Sequence, residues 1–201
     1  LFSLDSKSDA AALPVLKQII VSQDRATIRE ALHVICKLKS RARTLATDLE
    51  TIVRDTNSPY RLEAAEALLC VDASNTESAL DAVTDVLRNA RVRDDRHAMK
   101  VVRMLGSNAK SVMPDLVRLL EGSRSQVRLG WALTIAVIDP ETNNQAAVRV
   151  RRVLAGEESG SLEELLYELQ SAGPWAKSLV KELVAHLRSD RSNYELIQIL
   201  E

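Results

Sequence analysis

Aromatic side chains are scarce in this chain: two Trp, three Tyr and one Phe among 201 residues. That scarcity argues against a β-sandwich, whose strands draw on aromatic and β-branched residues. No apolar run is long enough to span a membrane, and residues 1–10 lack the basic start and long apolar stretch of a signal peptide. No charge of one sign dominates either. The 27 Lys+Arg stand against 28 Asp+Glu, a net charge of −1, so no global field draws the chain to nucleic acid or an anionic membrane. Any charged site must be local.

Chemistry-bearing motifs are equally sparse. His33, His97 and His186 are the only histidines, and none has a second histidine or carboxylate at metallopeptidase spacing. No P-loop, dinucleotide-binding glycine pattern or nucleophile elbow occurs. No catalytic residue, metal site or cofactor is therefore expected, and His33 and His97 read as solvated or structural. Cys36 and Cys70 lie inside apolar helical stretches on different repeats. They read as small buried apolar residues, with no metal pair and no disulfide framework. A reducing cytoplasm is the expected compartment.

What the chain does have is a period. Hydrophobic residues make up 46% of it, mostly Leu, Ala and Val, which suit close helix packing. Ile28, Ala31, Leu32, Ile35 and Leu38 form one stripe at helical spacing. The stripe returns every 33 or 34 residues as Ala64, Ala65, Leu68 and Val71; as Ala98, Met99, Val102 and Leu105; as Trp131, Ala132, Ile135 and Ile138; and as Leu165, Leu166, Leu169 and Ala172. Partner helices align on Leu16, Leu49, Val83, Leu116, Val150 and Leu183. A period of this length holds two helices of three to four turns, a pair that cannot bury its apolar face alone and must stack. The spacing predicts helices over about 9–21, with Pro14 in the first turn, and about 25–38.

Alternate units match better than neighbours. Ala109-Lys110-Ser111 returns as Ala176-Lys177-Ser178, and a fainter copy starts at Ala42, each step being 67 residues. Gly106 and Gly173 close alternate helices as residues tolerating positive φ, with Lys39 at the matching earlier place. Ser58, Ser125 and Ser192 are N-cap candidates, and Pro59 then falls on a first helical position. These matches suggest duplication of a two-unit block. Gly156–Gly160 reads as a turn, followed by a capping box from Ser161 and Glu164. Both ends look open, so 1–201 is expected to be a single array cut from a longer protein.

Val127-Arg128 with Trp131-Ala132, Tyr60-Arg61 with Ala64-Ala65, Leu13-Pro14-Val15-Leu16 and Met113-Pro114-Asp115-Leu116 resemble the HEAT-repeat superfamily, in the short bacterial form of phycobilisome-lyase-type HEAT-like repeats. Asp95 and Leu162 depart from it where Arg is preferred, as does Trp131 where a small residue is. A tetratricopeptide array shares the period, but its Trp, Gly, Tyr and Pro signature does not recur. The resemblance implies an all-α fold, an α-α superhelix in which about six antiparallel helix pairs stack into a right-handed solenoid. It also implies that the second helix of each pair lines a concave face.

The outward positions beside the second-helix anchors are Lys17 and Gln18, then Asp48 and Glu50, then Asp81 and Asp85, then Asp115 and Arg118, then Arg149, Arg151 and Arg152, then Glu182 and His186. Acidic residues gather early and arginines late. The expected function is a non-catalytic scaffold that binds a protein partner, or a neighbouring domain of the parent chain, along this face. Arg118, Arg149, Arg151, Arg152 and His186 are the candidate contacts, joined by Trp175, whose equivalents Arg41 and Asn108 are polar. The bland reading of each charge is a solvated helix face with counter-charges on adjacent helices. The alternative function is a HEAT-like lyase subunit or a nucleic-acid-binding protein. Charge balance and few aromatics disfavour the latter, and neither nucleic acid nor membrane is an expected partner.

Overall fold

A computed structural model describes residues 6–88, 95–122 and 125–138, together with positions 148 and 152. Among them every regular element is helical. The order is α1 (Ser6–Ser22), α2 (Ile28–Leu38), a 3₁₀ segment (Lys39–Leu45), α3 (Ala46–Arg54), α4 (Arg61–Val71), α5 (Thr76–Arg88), α6 (Asp95–Leu105), a second 3₁₀ segment (Gly106–Val112), α7 (Met113–Gly122) and α8 (Ser125–Ile138). The chain divides into two compact units, Leu1–Asn108 and Ala109–Glu201.

In the first unit α2 packs on α4 and α4 on α6, while α1 packs on α3 and α3 on α5. First helices thus form one row and second helices the other. Burial follows the apolar spacing. Ile28, Ala31, Leu32, Ile35 and Leu38 are the buried residues of α2, and Leu16, Leu49 and Val83 anchor the second row. Helix α4 touches both of its row neighbours as well as α3 and α5. It is accordingly buried almost all round, through Leu62, Ala64, Ala65, Ala67, Leu68, Leu69 and Val71. Each of its large aliphatic side chains contributes roughly 1.5–3 kcal/mol by leaving water.

In the second unit α7 packs on α8. Leu116 anchors α7, and Trp131, Ala132, Ile135 and Ile138 are buried on α8, as their spacing predicts. The core reading of Trp131 holds.

The turns are built by aspartates. Asp24 accepts from Ala26 N–H at 3.3 Å and from the Thr27 hydroxyl at 2.7 Å. Asp55 accepts from Asn57 N–H at 3.0 Å, and Asp72 from Ser74 N–H at 3.1 Å. Each side chain mimics the backbone turn that reverses the chain between helices.

The 67-residue step reappears in backbone geometry, because the two 3₁₀ segments occupy equivalent positions. Lys39 has φ 55° and Gly106 φ 54°, and Ala42 and Ala109 are both fully buried. Two local expectations are corrected. Pro14 lies well inside α1 and not in its first turn, so its missing N–H deprives a carbonyl one turn back of its donor. Ser58 does not cap α4: its Oγ accepts from Tyr60 N–H at 3.3 Å within the preceding turn, and Pro59 lies in that turn, before the helix starts at Arg61. The expectations made for residues 1–5, for Val150 and for 153–201 lie outside the described residues.

Candidate functional site

Stacking first helices side by side brings equal positions of successive repeats together. Arg29, His33 and Cys36 stand three or four residues apart on α2, so they share a face. One period later that face carries Glu63, Glu66, Ala67 and Cys70 on α4, and a further period later His97 and Lys100 on α6. A groove of about 90 Å³ opens where these faces meet, lined by Arg29, Leu32, His33 and Cys36, by Glu63, Glu66 and Ala67, and by His97 and Lys100.

Arg29 Nε donates to Glu63 Oε1 at 3.3 Å, and its guanidinium carbon lies 5.6 Å from the centre of the Tyr60 ring, a cation–π distance. Lys100 Nζ lies 3.3 Å from Glu66 Oε1 and His97 Nδ1 3.0 Å from Glu66 Oε2. Facing a carboxylate that only accepts, that nitrogen carries the proton. Burial alone would raise the Glu66 pKa. The hydrogen bond from His97 and the Lys100 charge together outweigh it, and the carboxyl is held below its ordinary value. Glu63 is only 7% exposed, and its second oxygen, Oε2, is buried with no hydrogen-bond partner. An unmet buried acceptor costs about 1–3 kcal/mol.

Cys36 and Cys70 are joined by a disulfide, S–S 1.99 Å, with Cα atoms 5.0 Å apart. This corrects the reading of both as small buried apolar residues outside any disulfide. They are separated by one period, 34 residues, and lateral stacking of α2 on α4 turns that separation into contact. Both are half-buried. No described helix is long and apolar enough to cross a membrane. Among the described residues no group of His, Cys, Asp and Glu is arranged to hold a metal ion.

The second-helix row looks different. Lys17 lies 3.2 Å from Asp48, and Arg54 2.7 Å from Glu50, which also accepts from the Ser78 hydroxyl at 3.0 Å. Arg61, reaching from α4, is 2.6 Å from Asp85. Asp48 and Asp85 thus meet counter-charges from adjacent helices, and Glu50 meets one from its own helix. Glu77 and Asp81, one turn apart on α5, remain exposed and have no ion-pair partner among the described residues. Of the predicted contacts, Arg118 is exposed on α7 and 3.3 Å from Asp115, and Arg152 is exposed. Arg149, Arg151, Trp175 and His186 lie outside the described residues.

Attention to single helices missed the first-row groove. Its signal was available in opposite charges one period apart, Arg29 with Glu63 and Glu66 with Lys100, and in two cysteines at that same spacing. No family model, curated protein or solved structure matches the chain.

Proposed function

We propose that this chain is a non-catalytic scaffold of HEAT-like type, about six helix pairs stacked as a right-handed solenoid, that holds a segment of a protein partner. Glu63 carries the reading: its carboxylate is buried beside a surface groove with one oxygen unmatched. A partner side chain that brings an N–H or O–H donor into the groove, with Arg29 kept on the other oxygen, would satisfy it. A groove of about 90 Å³ suits one side chain of a longer segment, since metabolite pockets run to about 300–1,000 Å³. The charges around it are of both signs, which favours register and specificity over strength.

A photo-reactive residue placed at His33 in the full chain, expressed in the source cells, tests this. The reading expects one discrete adduct, whose purified partner binds the native chain and binds Glu63→Leu about tenfold more weakly, a loss of ~1.4 kcal/mol. The second-helix face is a second reading, favoured by the exposed Glu77 and Asp81 on α5. An adduct from a probe at Asp81 alone would transfer the interface there. Without a discrete adduct at either position, the scaffold reading is lost.

A further inference from the structure

Of the two sulfurs, only that of Cys36 belongs to a residue lining the groove; Cys70 does not line it. We propose that the Cys36–Cys70 bond is exchangeable in the folded chain and that Cys36 is a site of reversible S-thiolation by an anionic low-molecular-weight thiol. Arg29 and Lys100 stand at the groove with side chains 65% and 42% exposed, placed to receive the thiol's carboxylates. His33, one turn before Cys36, lines the same wall. The groove admits the CH₂–S arm of such a thiol, and the rest of the molecule lies over the two cations.

In the exchange, a thiolate RS⁻ attacks Cys36 Sγ along the groove. A bond forms between R–S and Cys36, the Cys36–Cys70 bond breaks, and Cys70 leaves as a thiolate that takes its proton from water. The step conserves one disulfide. Full reduction follows when a second RS⁻ attacks the R–S sulfur, releasing RSSR and the Cys36 thiolate. Helices α2 and α4 stay packed throughout, because Ala31, Leu32 and Ile35 on one and Ala64, Ala65 and Leu68 on the other remain buried and Arg29 still holds Glu63. The mixed disulfide occupies the groove in which a partner's side chain would sit.

The test uses the full chain under native conditions with reduced glutathione. After acid quench, free thiols are alkylated and the chain is digested, which places Cys36 and Cys70 on separate tryptic peptides. The proposal expects glutathione on Cys36 and the alkyl label on Cys70. In Cys70→Ala, where no neighbouring sulfur expels the adduct, oxidised glutathione modifies Cys36 at least about threefold faster than it modifies Cys70 in Cys36→Ala. Arg29→Gln with Lys100→Gln slows glutathione at least about threefold and leaves uncharged 2-mercaptoethanol unchanged, as expected for local steering by charge. Four outcomes overturn the proposal: cysteines already free in the chain purified without reductant, adduct on Cys70, adduct only in denaturant, or equal slowing of both thiols.

Discussion

His97 on α6 reaches back 31 residues in sequence to hold Nδ1 3.0 Å from Glu66 Oε2 on α4. Lys100 closes the other oxygen at 3.3 Å, so one half-buried carboxylate ties two neighbouring first helices together. The Glu66 carboxyl is depressed below its ordinary value of 4.5. A carboxyl depressed in the folded state contributes stability that is fully present above its unfolded pKa and is lost as pH falls through its folded one. The Glu66 contribution to the urea midpoint is therefore expected to be lost as pH falls through the ordinary carboxylate range and below it. In Glu66→Gln the midpoint at pH 7 drops and the acid slope flattens. An unchanged slope would remove Glu66 from this role. Asp24 and Asp72, also held low by their turn hydrogen bonds, act in the same direction and keep some slope in the variant.

Arg29 and Glu63 should respond asymmetrically to replacement. Arg29→Ala leaves a 7%-exposed carboxylate with both oxygens unmatched and removes the contact over Tyr60. A loss of about 1–3 kcal/mol is expected. Glu63→Met removes the buried charge, and a change within about 1 kcal/mol of neutral, of either sign, is expected. Chemical denaturation of the two variants decides it: equal losses would show that the pair, and not the orphaned oxygen, dominates.

Lys39 shares its positive φ with Gly106 but not its freedom from a Cβ. With φ 55° and ψ −136°, Lys39 sits where only glycine is at ease. Lys39→Gly is expected to stabilise by about 1 kcal/mol and Gly106→Ala to destabilise by a similar amount. The added methyl at 106 would meet nothing within 4 Å, so the effect isolates backbone strain from crowding. A stabilised Gly106→Ala would refute it.

The disulfide closes a loop of 34 residues. By the chain-entropy account, opening such a loop costs about 3–4 kcal/mol. Cys36→Ala with Cys70→Ala is expected to lower the denaturation midpoint accordingly. Native protein in strong reductant should follow the variant, and coincident curves with and without reductant would contradict the cross-link.

Much of the fold is written locally. The spacing of Ile28, Leu32 and Ile35 dictates a helix and the face it buries, because helical geometry repeats within a few residues. The recurrence of that stripe implies stacking for the same reason, and Leu16, Leu49, Val83 and Leu116 are buried as their register requires. Helix starts were less legible. Asp24 and Asp55 shape turns before α2 and α4, and Pro14 sits inside α1, not in its first turn.

Side-chain pairing between repeats is a different matter. Sequence alone shows that Cys36 and Cys70, or Glu66 and Lys100, are one period apart; it does not show that first helices lie flank to flank closely enough to bond them. That depends on how α2, α4 and α6 share one buried layer, which small residues such as Ala31, Ala64, Ala65 and Ala98 keep thin. Those four are at most 3% exposed. The sequence by itself determined the helices, their period and their buried faces. Tertiary packing alone decided that two half-buried cysteines cross-link, that early second-row acids are partly neutralised, and that Glu63 sits buried at a groove with one oxygen unmet. Apolar periodicity is a property of the chain, whereas a lateral contact exists only once two turns of different repeats share one surface.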